Sequence, residues 1–327
     1  MRIIVIGLGS MGKRRIRLLK KRQDVELIVG IDSRQDRRDE TMSLYGIPTV
    51  ESISDAVENR IFDCAFICTS PLGHNSIIKE CLQSRLHVFT EINLVADGYE
   101  ENIRLARKAE RVLFLSSTFL YREETQYIHD KVQNETKPVN YIYHIGQYLP
   151  DWHPWENYNS FFVCNKRTNG CREIMAIEMP WIFEAFGEIE SVSSVHNKMS
   201  GLNLDYDDNY MIQILHKNGN KGTLIVDVVC RKAVRNFVAY SENLYLTWNG
   251  TPQGLAEYNM EKKQQKNIML YENIEHDDDY QATVIENAYS NEIEEFFTVV
   301  RGEKRQNYGF EKDLVTLCWL DRIEGIS

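Results

Sequence analysis

The residues whose type and spacing promise the most specific chemistry lie at the start of the chain, in Gly7-Leu8-Gly9-Ser10-Met11-Gly12, with an acid, Asp32, twenty residues further on. A tight turn at Gly7, close backbone approach at Gly9 and close helix packing at Gly12 make a cradle for a diphosphate. The N–H groups of Ser10 and Met11, at a helix start, then point at its charge. Asp32 stands where a carboxylate accepts hydrogen bonds from the adenosine ribose. It repels a 2′-phosphate and so favours NAD, whereas Ser33 and Arg34 directly after it suit the phosphate of NADP.

A second concentration of chemistry is Gly146 to Tyr158, which holds Tyr148, Trp152, His153 and Trp155 among acids and amides, with prolines at 150 and 154. Rings interleaved with hydrogen-bonding groups suit a sugar, whose C–H faces stack while its hydroxyls need partners. Tyr148 and Trp152 are the candidate substrate contacts and His153 a candidate acid-base group; the other reading is a rigid loop packed under a sheet or in an interface. Arg172, near Lys166 and Arg167, and the cluster Arg231, Lys232 and Arg235 suit an anionic substrate such as a sugar acid or nucleotide sugar.

The elements that must position these groups are legible in outline. Ile3 to Ile6 and Leu27 to Ile31 read as buried strands on either side of the glycine turn and its helix, and Phe62 to Thr69, His87 to Thr90 and Val112 to Ser117 repeat the alternation of strand and helix. Such a succession is a parallel sheet covered on both faces, with ligands at the strands' carboxyl ends. Past residue 120 the pattern changes to longer alternating strands at 140–149, 209–216, 222–230, 237–240 and 244–248, with a hairpin turn at Lys217-Asn218-Gly219-Asn220. The expected fold is therefore α/β: a dinucleotide-binding Rossmann domain over residues 1–119, then an α+β substrate domain over 120–327 with an open, mostly antiparallel sheet and C-terminal helices. An open sheet with one free face predicts a homodimer or homotetramer formed through that face.

Composition narrows the class further. The 327 residues are 43% hydrophobic with a net charge of -10, an ordinary globular chain. Positive charge gathers on the first helix (Lys13, Arg14, Arg15, Arg17, Lys20, Lys21, Arg22), which in an acidic protein reads as a solvated face near a phosphate site and not as nucleic-acid binding. Seven scattered cysteines without a CxxC pair read as reduced thiols, and with no signal peptide or membrane-length apolar run the expectation is a cytoplasmic protein. No His/Asp spacing calls for a metal.

Taken with Thr69-Ser70-Pro71, His74 and His87-Val88-Phe89-Thr90-Glu91, the chain resembles the glucose-fructose oxidoreductase / inositol dehydrogenase (Gfo/Idh/MocA) family over essentially its whole length. The resemblance implies that Thr69, Ser70, Pro71, His74 and Glu91 line the cofactor, that Arg122 lies at the domain junction, where it is either structural or a substrate contact, and that the reaction is NAD(P)-dependent oxidation of a sugar hydroxyl or reduction of the ketone. It implies a departure too, because the family's catalytic Glu-Lys-Pro lysine falls on Ile92, which transfers no proton. The family's Asp and His, four apart, fall on Ile174 and Glu178, with Pro180 expected to kink or restart the helix. Glu178, between Ile177 and Met179, is then either an acid-base carboxyl with a raised pKa or a group that binds substrate or holds an arginine. The same departures leave a second reading open, a dinucleotide-binding sensor or partner protein without chemistry.

Overall fold

The apolar run Arg2–Ile6 forms β1, with Ile3, Ile4 and Val5 wholly buried. A strand with no polar face belongs inside a sheet covered on both sides, and β1 lies there. The computed structural model, which describes residues 1–152, 157–276 and 283–326, continues with α1 (Ser10–Lys20), β2 (Leu27–Ile31), α2 (Gln35–Tyr45), β3 (Thr49–Val50), α3 (Ile53–Val57), β4 (Cys64–Ile67), α4 (His74–Gln83), β5 (His87–Thr90), α5 (Tyr99–Ala109) and β6 (Leu113–Leu115). The six strands are all parallel, in the order β3-β2-β1-β4-β5-β6. This is the Rossmann arrangement, with the order reversing between β1 and β4.

The remaining elements are α6 (Glu123–Gln133), β7 (Asn140–Gly146), α7 (Gly170–Phe186), β8 (Ile189–Asn197), β9 (Asn209–His216), β10 (Lys221–Asp227), β11 (Val234–Tyr240), β12 (Tyr245–Trp248), β13 (Ala256–Asn259), β14 (Gln264–Asn267), α8 (Glu286–Val300) and α9 (Phe310–Ile323). The eight strands form one sheet in the order β14-β13-β12-β11-β7-β10-β9-β8, antiparallel except for the parallel pair β7 and β10. Along β9 the side chains of Tyr210, Ile212 and Ile214 are buried while Met211 and Gln213 are exposed. One face packs on α7; the other leaves Ile142, Met211, Tyr240 and Tyr245 open. Strand β14, Gln-Gln-Lys-Asn, is exposed at every position and carries no apolar pattern from which to read it.

The chain divides into two units, residues 1–117 with 290–314 and residues 118–289 with 315–327. The return of 290–314 to the first unit is held by aromatic packing. Phe66, Phe89 and Phe114 stack along the parallel sheet at 4.7 and 5.3 Å, and Phe296 of α8 meets all three at 5.4 to 5.5 Å. Two sequence expectations are corrected. The first helix is no solvated basic face throughout, since Arg14 and Arg15 are buried. Nor does Pro180 restart α7, which runs unbroken from Gly170 to Phe186. Burial of Trp181, Ile182 and Phe186 beyond it offsets the one hydrogen bond that proline removes.

Candidate functional site

In the first unit the glycine turn leaves β1 with Gly7 at φ +90°, and a Cβ there would lie 2.7 Å from the Cys68 carbonyl oxygen. A Cβ on Gly12 would fall 1.9 Å from the Gly7 oxygen. Neither position has room for a side chain. Gly9 differs, for a Cβ there would meet only the Arg37 guanidinium, at 3.6 Å. The turn is thus packed against Cys68 at one end and against itself at the other, and open in the middle, where a diphosphate has to approach. Helix α1 begins at Ser10 with Gly9 as its cap, so no side chain closes the cap position. Beside the turn Thr69 adds a buried hydroxyl with no hydrogen-bond partner. An open glycine, an uncapped helix start and an unsatisfied hydroxyl together fit a dinucleotide.

Asp32 follows directly on β2, almost buried, its Oδ2 accepting from the Leu8 N–H at 2.8 Å and its Oδ1 from the Arg34 N–H at 2.9 Å. The carboxylate therefore braces the turn it serves. Of the residues read as candidates for a 2′-phosphate, the Arg34 side chain turns outward to Asp36 at 2.5 Å and Ser33 is exposed. Arg38 is spent on the Asp32 and Ser33 carbonyls. The guanidinium beside the cradle is that of Arg37, 3.7 Å from Asp32 and next to Gly9, a residue the sequence did not single out. Arg37→Ala is accordingly expected to weaken NADPH about tenfold, the worth of one charge-assisted hydrogen bond, and NADH about twofold or less. Titration of nicotinamide fluorescence reads both; equal loss for the two cofactors would count against this placement.

His74 and Glu91, read as cofactor contacts, have partners within the unit. The His74 ring is buried, its Nε2 2.9 Å from the Thr69 carbonyl and its Nδ1 2.6 Å from the Asn93 amide, and burial pulls its pKa down. It ties the Thr69 turn to the segment that follows β5. Glu91 receives the Arg15 guanidinium at 2.6 and 3.1 Å, and Arg15 also reaches Glu292 at 2.7 Å. Pro71 is buried in the turn before α4, Ser70 is exposed and Ile92 half-buried.

In the second unit Glu178 is fully enclosed. Its Oε1 accepts from Arg235 of β11 at 2.6 Å; its Oε2 accepts from the Tyr143 hydroxyl of β7 at 2.9 Å and the Trp181 indole at 2.7 Å. Of the roles open to it from sequence, this geometry is that of a carboxylate holding an arginine. Arg122 is buried in a bidentate pair with Glu124, at 2.6 and 3.1 Å, its guanidinium over Trp248 and Phe119. Arg172, also buried, bridges Asp321 at 2.7 Å and Glu324, anchoring the C-terminal helix. Trp152 donates to the Gln147 carbonyl at 3.2 Å, and Tyr148 lies beneath the Arg231 guanidinium at 4.0 Å. His153 lies outside the described residues. Among the described residues no cluster of His, Cys, Asp or Glu has metal-ligand geometry, and no helix is long and apolar enough to cross a membrane.

One group went unread from sequence. Glu173, one turn into α7, is half-buried, and its Oε2 is shielded from solvent without a hydrogen bond. Burial pushes its carboxyl up to about 8. The signal available was weak, because α7 is apolar nearly all round.

The parallel sheet and its open glycine turn agree with the comparison of the chain with known families. Residues 1–117 match the Gfo/Idh/MocA oxidoreductase family, NAD-binding Rossmann fold. Biliverdin reductase A from Mus musculus is 30% identical over 134 residues, and that from Homo sapiens 26% over 132. Each alignment spans 40% of this chain, which covers less than half, 44%, of either relative. Likeness of structure extends much further. The WlbA dehydrogenase from Bordetella pertussis, solved with NADH and UDP-GlcNAcA, superposes with a TM-score of 0.79 at 14% identity, over 99% of this chain and 95% of that one. UDP-N-acetylglucosamine 3-dehydrogenase GnnA from Acidithiobacillus ferrooxidans does so at 0.75 and 15%, over 100% and 97%. At such identities the likeness establishes the fold.

Proposed function

We propose that this protein is an NAD(P)-dependent oxidoreductase that acts on a hydroxyl or ketone of a sugar derivative, a sugar acid or nucleotide sugar. The observation that carries the reading is the glycine turn, closed at Gly7 and Gly12 and open at Gly9, beside the unpartnered Thr69 hydroxyl. The sugar class is supported by the neighbours of like fold, WlbA and GnnA, and by the aromatic residues Tyr148 and Trp152 in the second unit.

Gly7, Gly9, Ser10, Met11 and Gly12 hold the diphosphate, Asp32 the ribose, and Thr69 contributes a hydroxyl. When bound, the nicotinamide supplies or takes the hydride. Ile92 has no proton to give, which leaves Glu178, the carboxylate that holds Arg235, and His153 as the candidate proton groups. The exposed Ile142, Met211, Tyr240 and Tyr245 support association of two or more copies through the free sheet face, which sedimentation measures.

The test is label transfer. Protein is incubated with NADH or NADPH carrying deuterium at either nicotinamide C4 position and a fractionated sugar-metabolite extract. Mass spectrometry is expected to find one deuterated sugar. Bound cofactor with no labelled metabolite in any fraction would replace this reading with that of a sensor lacking chemistry, which the aliphatic side chain at Ile92 favours.

A further inference from the structure

The loop that leaves β4 is closed by a side chain. Beyond Cys68, whose N–H still reaches the Ile6 carbonyl at 2.7 Å, Thr69 lies outside the ladder of the parallel sheet. The short turn that follows has its own bonds, from the Gly73 N–H to the Ser70 carbonyl at 2.9 Å and from the His74 N–H to the Pro71 carbonyl. The Thr69 carbonyl is held differently, by the His74 ring, whose Nε2 lies 2.9 Å from it. That nitrogen therefore carries the ring hydrogen. On the far side Nδ1 stands 2.6 Å from the Asn93 side-chain amide and 3.2 Å from the Thr90 hydroxyl. Burial holds the ring neutral, and to a neutral ring with its hydrogen on Nε2 an amide offers an N–H. One imidazole thus joins the segments that follow β4 and β5, and every residue of the bridge belongs to the first unit.

The bridge does more than hold two segments together. Replacing both partners of a buried hydrogen bond by apolar groups of the same shape can be nearly neutral, so packing alone does not call for a buried imidazole and a buried amide. What the polar bridge adds is direction at Thr69. Threonine is β-branched and its χ1 has few positions, so a fixed main chain fixes the hydroxyl. A Cβ added at Gly7 would come 2.9 Å from the Thr69 methyl, and one at Gly73 3.8 Å from its hydroxyl. The side chain stands with its methyl against the glycine turn, and its hydroxyl is shielded from solvent without a partner. Asn93 is this chain's own contribution, since the proline of the Glu-Lys-Pro pattern falls there and a proline side chain gives no hydrogen bond.

Resting on the dinucleotide site of the reading above, we propose that His74, oriented by Asn93, is a positioning residue for the cofactor: it holds the Thr69 main chain so that the Thr69 hydroxyl is kept for the dinucleotide. His74 offers the ligand no hydrogen bond of its own, because both ring nitrogens are taken. Loss of its bond to the Thr69 carbonyl should then weaken the cofactor as much as loss of the hydroxyl, and the two losses should not add.

The amide nitrogen of glutamine superposes on an imidazole Nε2 and that of asparagine on Nδ1, so His74→Gln keeps the donor to Thr69 and His74→Asn loses it. Calorimetry gives the dissociation constant of whichever of NADH and NADPH wild type binds more tightly. Thr69→Val and His74→Asn are each expected to weaken it about tenfold, the worth of one hydrogen bond, and His74→Gln by no more than about threefold. The double variant Thr69→Val/His74→Asn should lie within about twofold of either single one. A role in stability alone would instead lower the urea midpoints of the two His74 variants alike and leave the affinity of the folded protein unchanged. Undiminished affinity in Thr69→Val, equal affinities in His74→Gln and His74→Asn, or losses that multiply in the double variant would overturn the role of His74. Should His74→Asn fail to fold, wild type labelled with heavy-nitrogen histidine decides. Its His74 Nε2–H signal, identified by its absence from His74→Gln, should shift when the cofactor is added and stay in place in cofactor-saturated Thr69→Val; a signal unmoved in wild type, or moved equally in both, would overturn the role. Wild type that binds neither cofactor would overturn the dinucleotide site itself, and this role with it.

Discussion

Gly12→Ala is expected to weaken NADH binding by about 100-fold or more. The added Cβ would sit 1.9 Å from the Gly7 carbonyl oxygen, a main-chain atom of the turn itself. Relief requires α1 and the turn to part, which moves the helix-start N–H groups away from the diphosphate. Two lost hydrogen bonds to a charged group, at roughly 1.5 kcal/mol or more each, account for that factor. Gly46→Ala supplies the control. Gly46, unlike Gly12, has a positive φ, +64°, but a Cβ there meets nothing within 4 Å, so its cost is about 1 kcal/mol of stability with no change in NADH affinity. Calorimetric titration of both variants separates damage to the cradle from general loss of fold, and Gly12→Ala binding as wild type would remove the packed turn from the account.

Arg15→Met should cost the first unit about 3–5 kcal/mol, the range for a buried ion-pair partner removed alone. Its guanidinium is wholly buried, paired with Glu91 and Glu292 and lying 4.5 Å over the Phe89 ring. Methionine keeps most of the packing and leaves two buried carboxylates facing each other. Burial already raises the Glu292 pKa, with Arg15 pulling it down and Glu91 pushing it up. A carboxyl raised in the fold takes up a proton on folding, so its contribution is fully present below the unfolded value and is lost as pH rises through the folded one. Without Arg15 that folded value climbs further. The deficit in urea unfolding should therefore be larger at pH 8 than at pH 5, and Glu292→Gln added to Arg15→Met should recover part of it. The same loss at both pH values would mean that packing, and not charge, is what Arg15 provides.

Much of this was legible in the residues because it depends on local backbone geometry. Gly7, Gly9, Gly12 and Asp32, set in the order strand, turn, helix, strand, acid, specify a cradle whose parts lie within one short stretch, and the structure places the turn and its acid side by side. The buried runs from Ile3 to Leu115 and the alternation along β9 likewise follow from which side chains leave water. What only the tertiary structure decided is where each charged side chain is spent. Arg15 and Glu292 are 277 residues apart, and no spacing rule relates them until Phe296 packs on the parallel sheet. Arg172 read as a cation for an anionic substrate and Arg122 as a residue of the domain junction, yet each has an acid from the fold. Glu178 and Glu173 differ by five positions on a helix apolar nearly all round, so periodicity could not say which faced the sheet. Tyr143 and Arg235 settled that by binding the first, because a buried charge takes its role from the groups that surround it and those come from distant parts of the chain.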